Sequence, residues 1–254
     1  MLSTENLTIR FGGHVAVNAV TCSFAPGTLT AIVGPNGAGK TTYFNLISGQ
    51  LKATAGSVRL GGRDLSGLPP SARTRAGLGR AFQLTNLFPN LSVLENVRLA
   101  VQATRHAGLN LLSIWSDHRE ITRRAHEILE AVSMGERQHM PVASLPHGDQ
   151  RKLEVALLMA LDPQVYMFDE PTAGMNHDEA PVILNLIREL KKDKTKTILL
   201  VEHKMDVVRE LADRIIVLTN GTLVADGEPA EVIASPVVQQ AYLGVAAAEA
   251  EEGA

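Results

Sequence analysis

The 254-residue sequence predicts an α/β fold: a doubly wound, mainly parallel sheet interrupted by a helical insert. Three observations predict it. Val165–Phe168 and Thr197–Val201 are short continuous apolar runs, the mark of strands buried on both faces of a parallel sheet. A Gly-rich loop at Gly34–Gly39 joins a predicted strand to a helical stretch. From about Gln83 to about Leu161, strand signals vanish and helical spacing dominates.

The elements follow in order. Leu7–Arg10, Val15–Phe24 and Leu29–Val33 are rich in Val, Ile and Thr and read as β segments, with Pro26-Gly27 as a tight turn. Lys40–Ser48 reads as a helix ended by Gly49, and Ser57–Leu60 as a short strand closed by Gly61-Gly62. In the insert, Ser92 and Glu95 form a capping-box pattern that opens a helix running into Val101. Asp117 with Glu120 suggests a second start, and Ile121, Ala125, Ile128, Leu129 and Val132 share one face. Trp115, the only tryptophan, is expected to anchor the core of this lobe. A helix near Glu179–Lys192 lies between the two apolar strands, and Ile215–Leu218 and Thr222–Ala225 form a hairpin across Asn220-Gly221. The Ala/Glu-rich end, 246–254, is expected to fray.

Composition narrows the function classes. A formal net charge of −3 gives no electrostatic reason to expect nucleic acid as a partner. Cys22 stands alone, so no internal disulfide is expected, and it reads as a small buried hydrophobe in a strand. The N-terminus lacks a charged region followed by an apolar run, and the apolar stretches are too short to span a bilayer. The chain is expected to be soluble and intracellular.

Gly34-Pro35-Asn36-Gly37-Ala38-Gly39-Lys40-Thr41 fits the phosphate-loop pattern G-x-x-x-x-G-K-[ST], in the strand–loop–helix context that the pattern requires. Its glycines let successive backbone N–H groups turn inward as an anion nest, and the helix N-terminus adds its positive end. Lys40 is expected to neutralise the β- and γ-phosphates, Thr41 to ligate Mg²⁺, and Thr42 to hydrogen-bond an α-phosphate oxygen.

The strand Val165–Phe168 runs directly into Asp169-Glu170, which puts two carboxylates at the C-terminal edge of the sheet, where open α/β sheets bind ligands. Asp169 is expected to hold Mg²⁺ directly or through water. Glu170 is expected to orient or deprotonate the water that attacks the γ-phosphate. His203 follows the next apolar run, so it is expected at the same edge, sensing the phosphate.

Together these residues resemble the ATP-binding cassette (ABC) ATPases, over nearly the whole chain to about Gly244. The resemblance implies a P-loop NTPase core with a mainly parallel sheet, an N-terminal antiparallel β subdomain and an inserted helical subdomain. It implies a core of about 1–84 and 162–244, an insert of about 85–161, and a flexible tail at 245–254. Gln83 stands where the family has its Q-loop glutamine, a contact to Mg²⁺ and water that links to the membrane subunits. Phe11 matches the aromatic that stacks on adenine, with Ala16 close to the same ring, and His203 matches the switch histidine. Pro171–Asn176 matches the loop that crosses the dimer interface after the catalytic glutamate.

The family's signature segment, usually Leu-Ser-Gly-Gly-Gln, reads here Leu145-Pro146-His147-Gly148-Asp149. Pro146 removes a serine hydroxyl, and Asp149 is expected to cap a helix N-terminus while repelling nucleotide. The resemblance implies that Leu145, His147 and Gly148 contact the ATP of a partner subunit. A weakened or differently built trans half of the site is therefore expected.

Phe11-Gly12-Gly13, Ala173-Gly174-Met175-Asn176, Val201–Met205 and Ala241–Gly244 resemble more narrowly the ATPases of branched-chain amino acid importers and of urea or amide importers. The resemblance implies a two-fold pair of ATPase subunits, identical or paralogous, on the cytoplasmic face of the cell membrane. Permease subunits would be bound directly and a solute-binding protein indirectly, with ATP and Mg²⁺ as cofactors and no nucleic acid. A non-transport ABC ATPase acting on ribosomes or DNA is the alternative, as is an ABC subunit with weakened hydrolysis. A plain P-loop kinase leaves Gln83, the signature segment and His203 without roles.

Overall fold

The structure is a computed structural model that describes residues 1–81, 87–104, 116–176 and 178–240, with 116–118 described by backbone alone. The chain opens with β1 (Leu2–Phe11) and β2 (His14–Phe24), an antiparallel pair whose register sets Phe11 opposite His14 across the Gly12-Gly13 turn. β3 (Leu29–Val33) is buried along its whole length and leads into α1 (Lys40–Ser48). β4 (Ala55–Leu60) and β5 (Arg63–Asp64) complete a four-stranded antiparallel sheet ordered β2-β1-β4-β5.

A short helix, α2 (Pro70–Arg75), and β6 (Leu78–Arg80) precede the insert. The insert holds α3 (Val93–Thr104) and α4 (Ser116–Ala131), and leads into α5 (His147–Leu161). The chain then alternates through β7 (Val165–Asp169), α6 (Ala180–Lys192), β8 (Thr197–Val201), α7 (Met205–Leu211), β9 (Arg214–Thr219), β10 (Thr222–Gly227) and α8 (Pro229–Ala234). The second sheet has the order β10-β9-β3-β8-β7-β6. All of its pairs are parallel except the edge hairpin β9–β10.

The two sheets share a core around α1. Leu2, Leu7 and Phe24 of the first sheet and Met167, Leu199 and Ile216 of the second all belong to one buried cluster with Tyr43, Phe44 and Ile47 of α1. Strand alternation explains how the second sheet serves two cores. Val165 and Met167 face this cluster, whereas Tyr166 and Phe168 face the other, which joins α5, α6 and the insert. The helix carrying the phosphate loop is thus clamped between sheets, and the buried Tyr43 hydroxyl finds its partner in Thr4 Oγ1 at 2.7 Å.

The insert follows its pattern. The Ser92 hydroxyl accepts the Glu95 amide at 3.2 Å and caps α3, while the Glu95 carboxylate pairs with Arg98 instead of reaching back. Ile121, Ala125, Ile128, Leu129 and Val132 are all buried in one cluster with Val93, Val97 and Val101. Cys22 is buried in β2, and burial pushes its thiol pKa up. Trp115, Gln83 and the stretch 241–254 lie outside the described residues. Among the described residues, no helix is long and apolar enough to cross a membrane.

Candidate functional site

The loop between β3 and α1 requires glycine at two places. Gly34 has φ +149°, and a Cβ there would stand 2.1 Å from the Leu218 carbonyl oxygen of β9. Gly39 has φ +93°, and its Cβ would meet the Ala16 carbonyl oxygen at 2.5 Å. Both positions combine a left-handed backbone with a close backbone neighbour, so no larger residue fits. The β9–β10 turn braces the loop from outside. Asn220 (φ 48°) and Gly221 (φ 75°) both adopt the positive φ of a type I′ hairpin. The Gly221 amide donates to Ala38 O at 3.0 Å, and the Asn18 amide donates to Gly221 O at 2.8 Å.

α1 then begins with no acidic residue in its first turn, so its free N–H groups keep their positive character. The Lys40 ammonium is almost buried and donates to Gly34 O at 2.7 Å and Pro35 O at 2.9 Å. Burial lowers its pKa, while Glu170 and Asp169 raise it. An open cavity of about 410 Å³ lies over this loop, within the range of small-molecule sites. Its lining joins Phe11, His14 and Ala16 of the first hairpin, the loop residues from Asn36 to Thr42, and Glu170. Phe11 is 50% exposed, an unusual state for a large aromatic side chain and one that suits a stacking surface. Sequence reading missed His14, although its place opposite Phe11 across a two-glycine turn is a readable signal.

The carboxylates stand where parallel pairing puts them. β7 pairs with β8 in a register that sets Asp169 beside Val201, so Asp169, Glu170 and His203 emerge at one sheet edge. Glu170 has φ +49°, a left-handed backbone that is uncommon for a non-glycine residue. Its amide is held by Val201 O at 2.9 Å, which fixes this conformation. The His203 Nδ1 lies 3.5 Å from Glu170 Oε1. Beside it, Glu202 is buried, which raises its carboxyl pKa, and one oxygen accepts the Lys204 amide at 3.2 Å.

Asp169 has a partner that sequence reading did not find. Arg80, buried at the end of β6, donates from Nη2 to Asp169 Oδ2 at 2.8 Å. Burial raises the Asp169 pKa, and the Arg80 guanidinium lowers it. Thr41 and Asp169 supply hard oxygen donors from two elements, and no cluster of three or more metal-ligating side chains occurs among the described residues. That sparse oxygen set fits Mg²⁺, which keeps several waters and takes phosphate oxygens rather than filling an all-protein cage.

The signature segment differs from expectation. Asp149 does not face a ligand. It is 2% exposed and pairs with Arg137 and Lys152, the latter at 3.2 Å, inside the helical region. The reason is helical spacing: one turn along α5, Lys152 lies on the same face as Asp149, and Arg137 reaches the other carboxylate oxygen from outside the helix. The expected repulsion of nucleotide by Asp149 is therefore corrected. Pro146 occupies the N-cap, where its missing N–H costs nothing. The Leu145 side chain is buried in the insert core, so only its backbone can reach a ligand. His147 is exposed, and a Cβ on Gly148 would meet Glu179 Oε2 at 2.2 Å. None of Leu145, His147 and Gly148 lines the cavity over the phosphate loop.

Comparison with known proteins agrees with this geometry. Residues 17–173 match the "ABC transporter" family, and residues 222–248 match the "Branched-chain amino acid ATP-binding cassette transporter" family. The high-affinity branched-chain amino acid transport ATP-binding protein LivG of Escherichia coli K12 is 40% identical over 251 residues, covering 97% of this chain and 98% of its own. The protein of the same description, BraF, from Pseudomonas aeruginosa is 38% identical over 253 residues, with coverage of 97% and 98%. The crystal structure of a nucleotide-free ATP-binding cassette from an ABC transporter superposes with a TM-score of 0.79 at 30% identity, covering 95% of this chain and 98% of that one.

Proposed function

The chain belongs to the ABC transporter ATPase family, and from that premise we propose that it is the ATP-hydrolysing subunit of an importer for branched-chain amino acids. The observation that carries the solute class is the 40% identity to the E. coli branched-chain amino acid transport ATP-binding protein across nearly the full length of both chains. It favours branched-chain amino acids over urea or amides.

The site residues would divide the work as follows. Phe11, with Ala16 beside it, would stack on the adenine, and the backbone of Gly34–Gly39 with Lys40 and Thr42 would hold the phosphates. Thr41, Asp169 and Gln83 would hold Mg²⁺, which supplies charge neutralisation on the β- and γ-phosphates when bound. Glu170 would orient the attacking water and accept its proton, and His203 beside it would steady the γ-phosphate. The strained Glu170 backbone supports this reading, because such conformations are kept where surrounding structure holds a side chain for a task.

The trans half would come from the second ATPase subunit through His147, Gly148 and the Leu145 backbone, closing a two-fold pair around two ATP molecules. The burial of Asp149 removes one of the two reasons to expect weakened hydrolysis, and the absence of a serine hydroxyl at Pro146 is the other. Permease subunits would contact Gln83, as the family resemblance implies, and the insert region, where Phe88 (54% exposed), Leu91 and Met140 present apolar surface. The chain would thus sit on the cytoplasmic face of the membrane, with a solute-binding protein acting from the other side. A tagged chain is expected to co-purify from membranes with hydrophobic permease subunits. In vesicles, the ATPase of that complex should rise with a leucine-loaded binding protein. Recovery with only ribosomal or DNA-bound partners would overturn the transporter reading.

A further inference from the structure

We propose that Arg80 is a positioning residue for the Mg²⁺ site, fixing which oxygen of Asp169 is offered to the metal and how far that oxygen lies from Thr41. The inference rests on the ATPase reading above. Arg80 stands at the end of β6 with its side chain 5% exposed, a costly place for a charge unless the charge is paired. Its guanidinium is shared between two elements. Nη1 donates to the Asn45 side-chain oxygen and to Ser48 Oγ at 2.9 Å, and the group stacks 4.9 Å from the Phe44 ring centroid. All three of those residues belong to α1, the helix that carries Thr41 in its first turn. Nη2 reaches the other way, to Asp169 Oδ2 at 2.8 Å.

Two consequences follow from this geometry. The guanidinium ties the helix bearing one candidate metal ligand to the strand bearing the other. It also occupies Oδ2, and among the described residues no hydrogen bond reaches Oδ1, on a side chain that remains 15% exposed. Oδ1 is therefore the oxygen left for the metal or its water. The fork geometry of arginine is what allows one side chain to serve both elements.

The test is Mg²⁺-dependent nucleotide binding by the full chain, read with a fluorescent ATP analogue in EDTA and across a Mg²⁺ titration. Arg80→Gln should leave binding in EDTA within about twofold of wild type. It should raise the Mg²⁺ needed for half-maximal effect by roughly tenfold, the usual loss when the partner of a metal ligand is removed. Arg80→Lys, which keeps the charge without the fork, should recover part of that loss. Asn45→Ala leaves the Asp169 pair in place and loosens only the anchor on α1. It should shift the Mg²⁺ midpoint by a smaller factor, and it serves as the deciding variant if Arg80→Gln does not fold. A folded Arg80→Gln, or failing that Asn45→Ala, with an unchanged Mg²⁺ midpoint overturns the proposal and leaves Arg80 a packing residue. A wild-type chain that binds no nucleotide would instead sink the ATPase reading, and this inference with it.

Discussion

Replacing Asp149 by asparagine separates two roles for the altered signature segment. Its carboxylate is 2% exposed between Lys152, 11% exposed, and Arg137, 46% exposed. Breaking a fully buried ion pair costs about 3–5 kcal/mol. Half-exposed Arg137 can turn to water, where such pairings are worth about 0–1 kcal/mol, so most of the loss falls on Lys152. About 2 kcal/mol is the reasonable expectation for Asp149→Asn. For a domain of this size, each kcal/mol moves Tm by about 2–4 °C, giving a drop of about 4–8 °C. Thermal melts of the isolated chain read that drop directly, and ATPase assays at 25 °C should show no gain in turnover. A several-fold rise in ATPase with an unchanged Tm would refute the reasoning. It would mean that the carboxylate faces the partner's phosphates after all.

Three further outcomes follow from the site. Gly34→Ala places a Cβ 2.1 Å from the Leu218 carbonyl, a clash that only movement of β3 against β9 can relieve. A loss of about 3 kcal/mol is expected, together with the thermal shift on adding ATP, and calorimetry with and without nucleotide checks both. Phe11→Ala should weaken nucleotide binding by about two- to twelvefold, from a stacking loss of about 0.5–1.5 kcal/mol, measured by fluorescence titration. Glu202 has a raised carboxyl pKa, so the folded chain holds its proton where the unfolded chain, near 4.5, has lost it. Between those two values folding stability falls as pH rises, and the cost is complete above the folded-state value. Glu202→Gln should therefore raise Tm at pH 7.5 by more than at pH 4.5, in melts run at both.

Much of the core was legible because its strands are short, continuous and fully buried. Leu29–Val33 and Thr197–Val201 have the bounds their composition implies. The Asn220-Gly221 hairpin followed from the demand of both turn positions for positive φ. The phosphate loop and the Asp169-Glu170 edge were readable because each motif is local and lies beside such a strand. The elements that escaped were small. α2 and α8 have six residues each and β6 has three, too few for a period to show. The same limit hid Arg80, whose importance comes from contacts with residues 32, 35 and 89 positions away. Asp149 was misread for a related reason. A helix N-terminus suggests a ligand-facing carboxylate, whereas the pairing with Lys152 one turn along α5 and the tertiary placement of Arg137 turn it inward. The Glu170 backbone strain has no signature in composition at all.

The central proposal is that Glu170 drives hydrolysis of ATP held between this cassette and a second ATPase subunit, identical or paralogous. Glu170→Gln, assayed for turnover and for ATP-dependent pairing by light scattering after size exclusion, tests it most directly. Turnover should fall by at least about 100-fold, the scale of general-base removal, while Mg²⁺ and ATP should convert the variant into a stable dimer. Turnover within a few-fold of wild type, or no dimer at saturating ATP, would contradict the account.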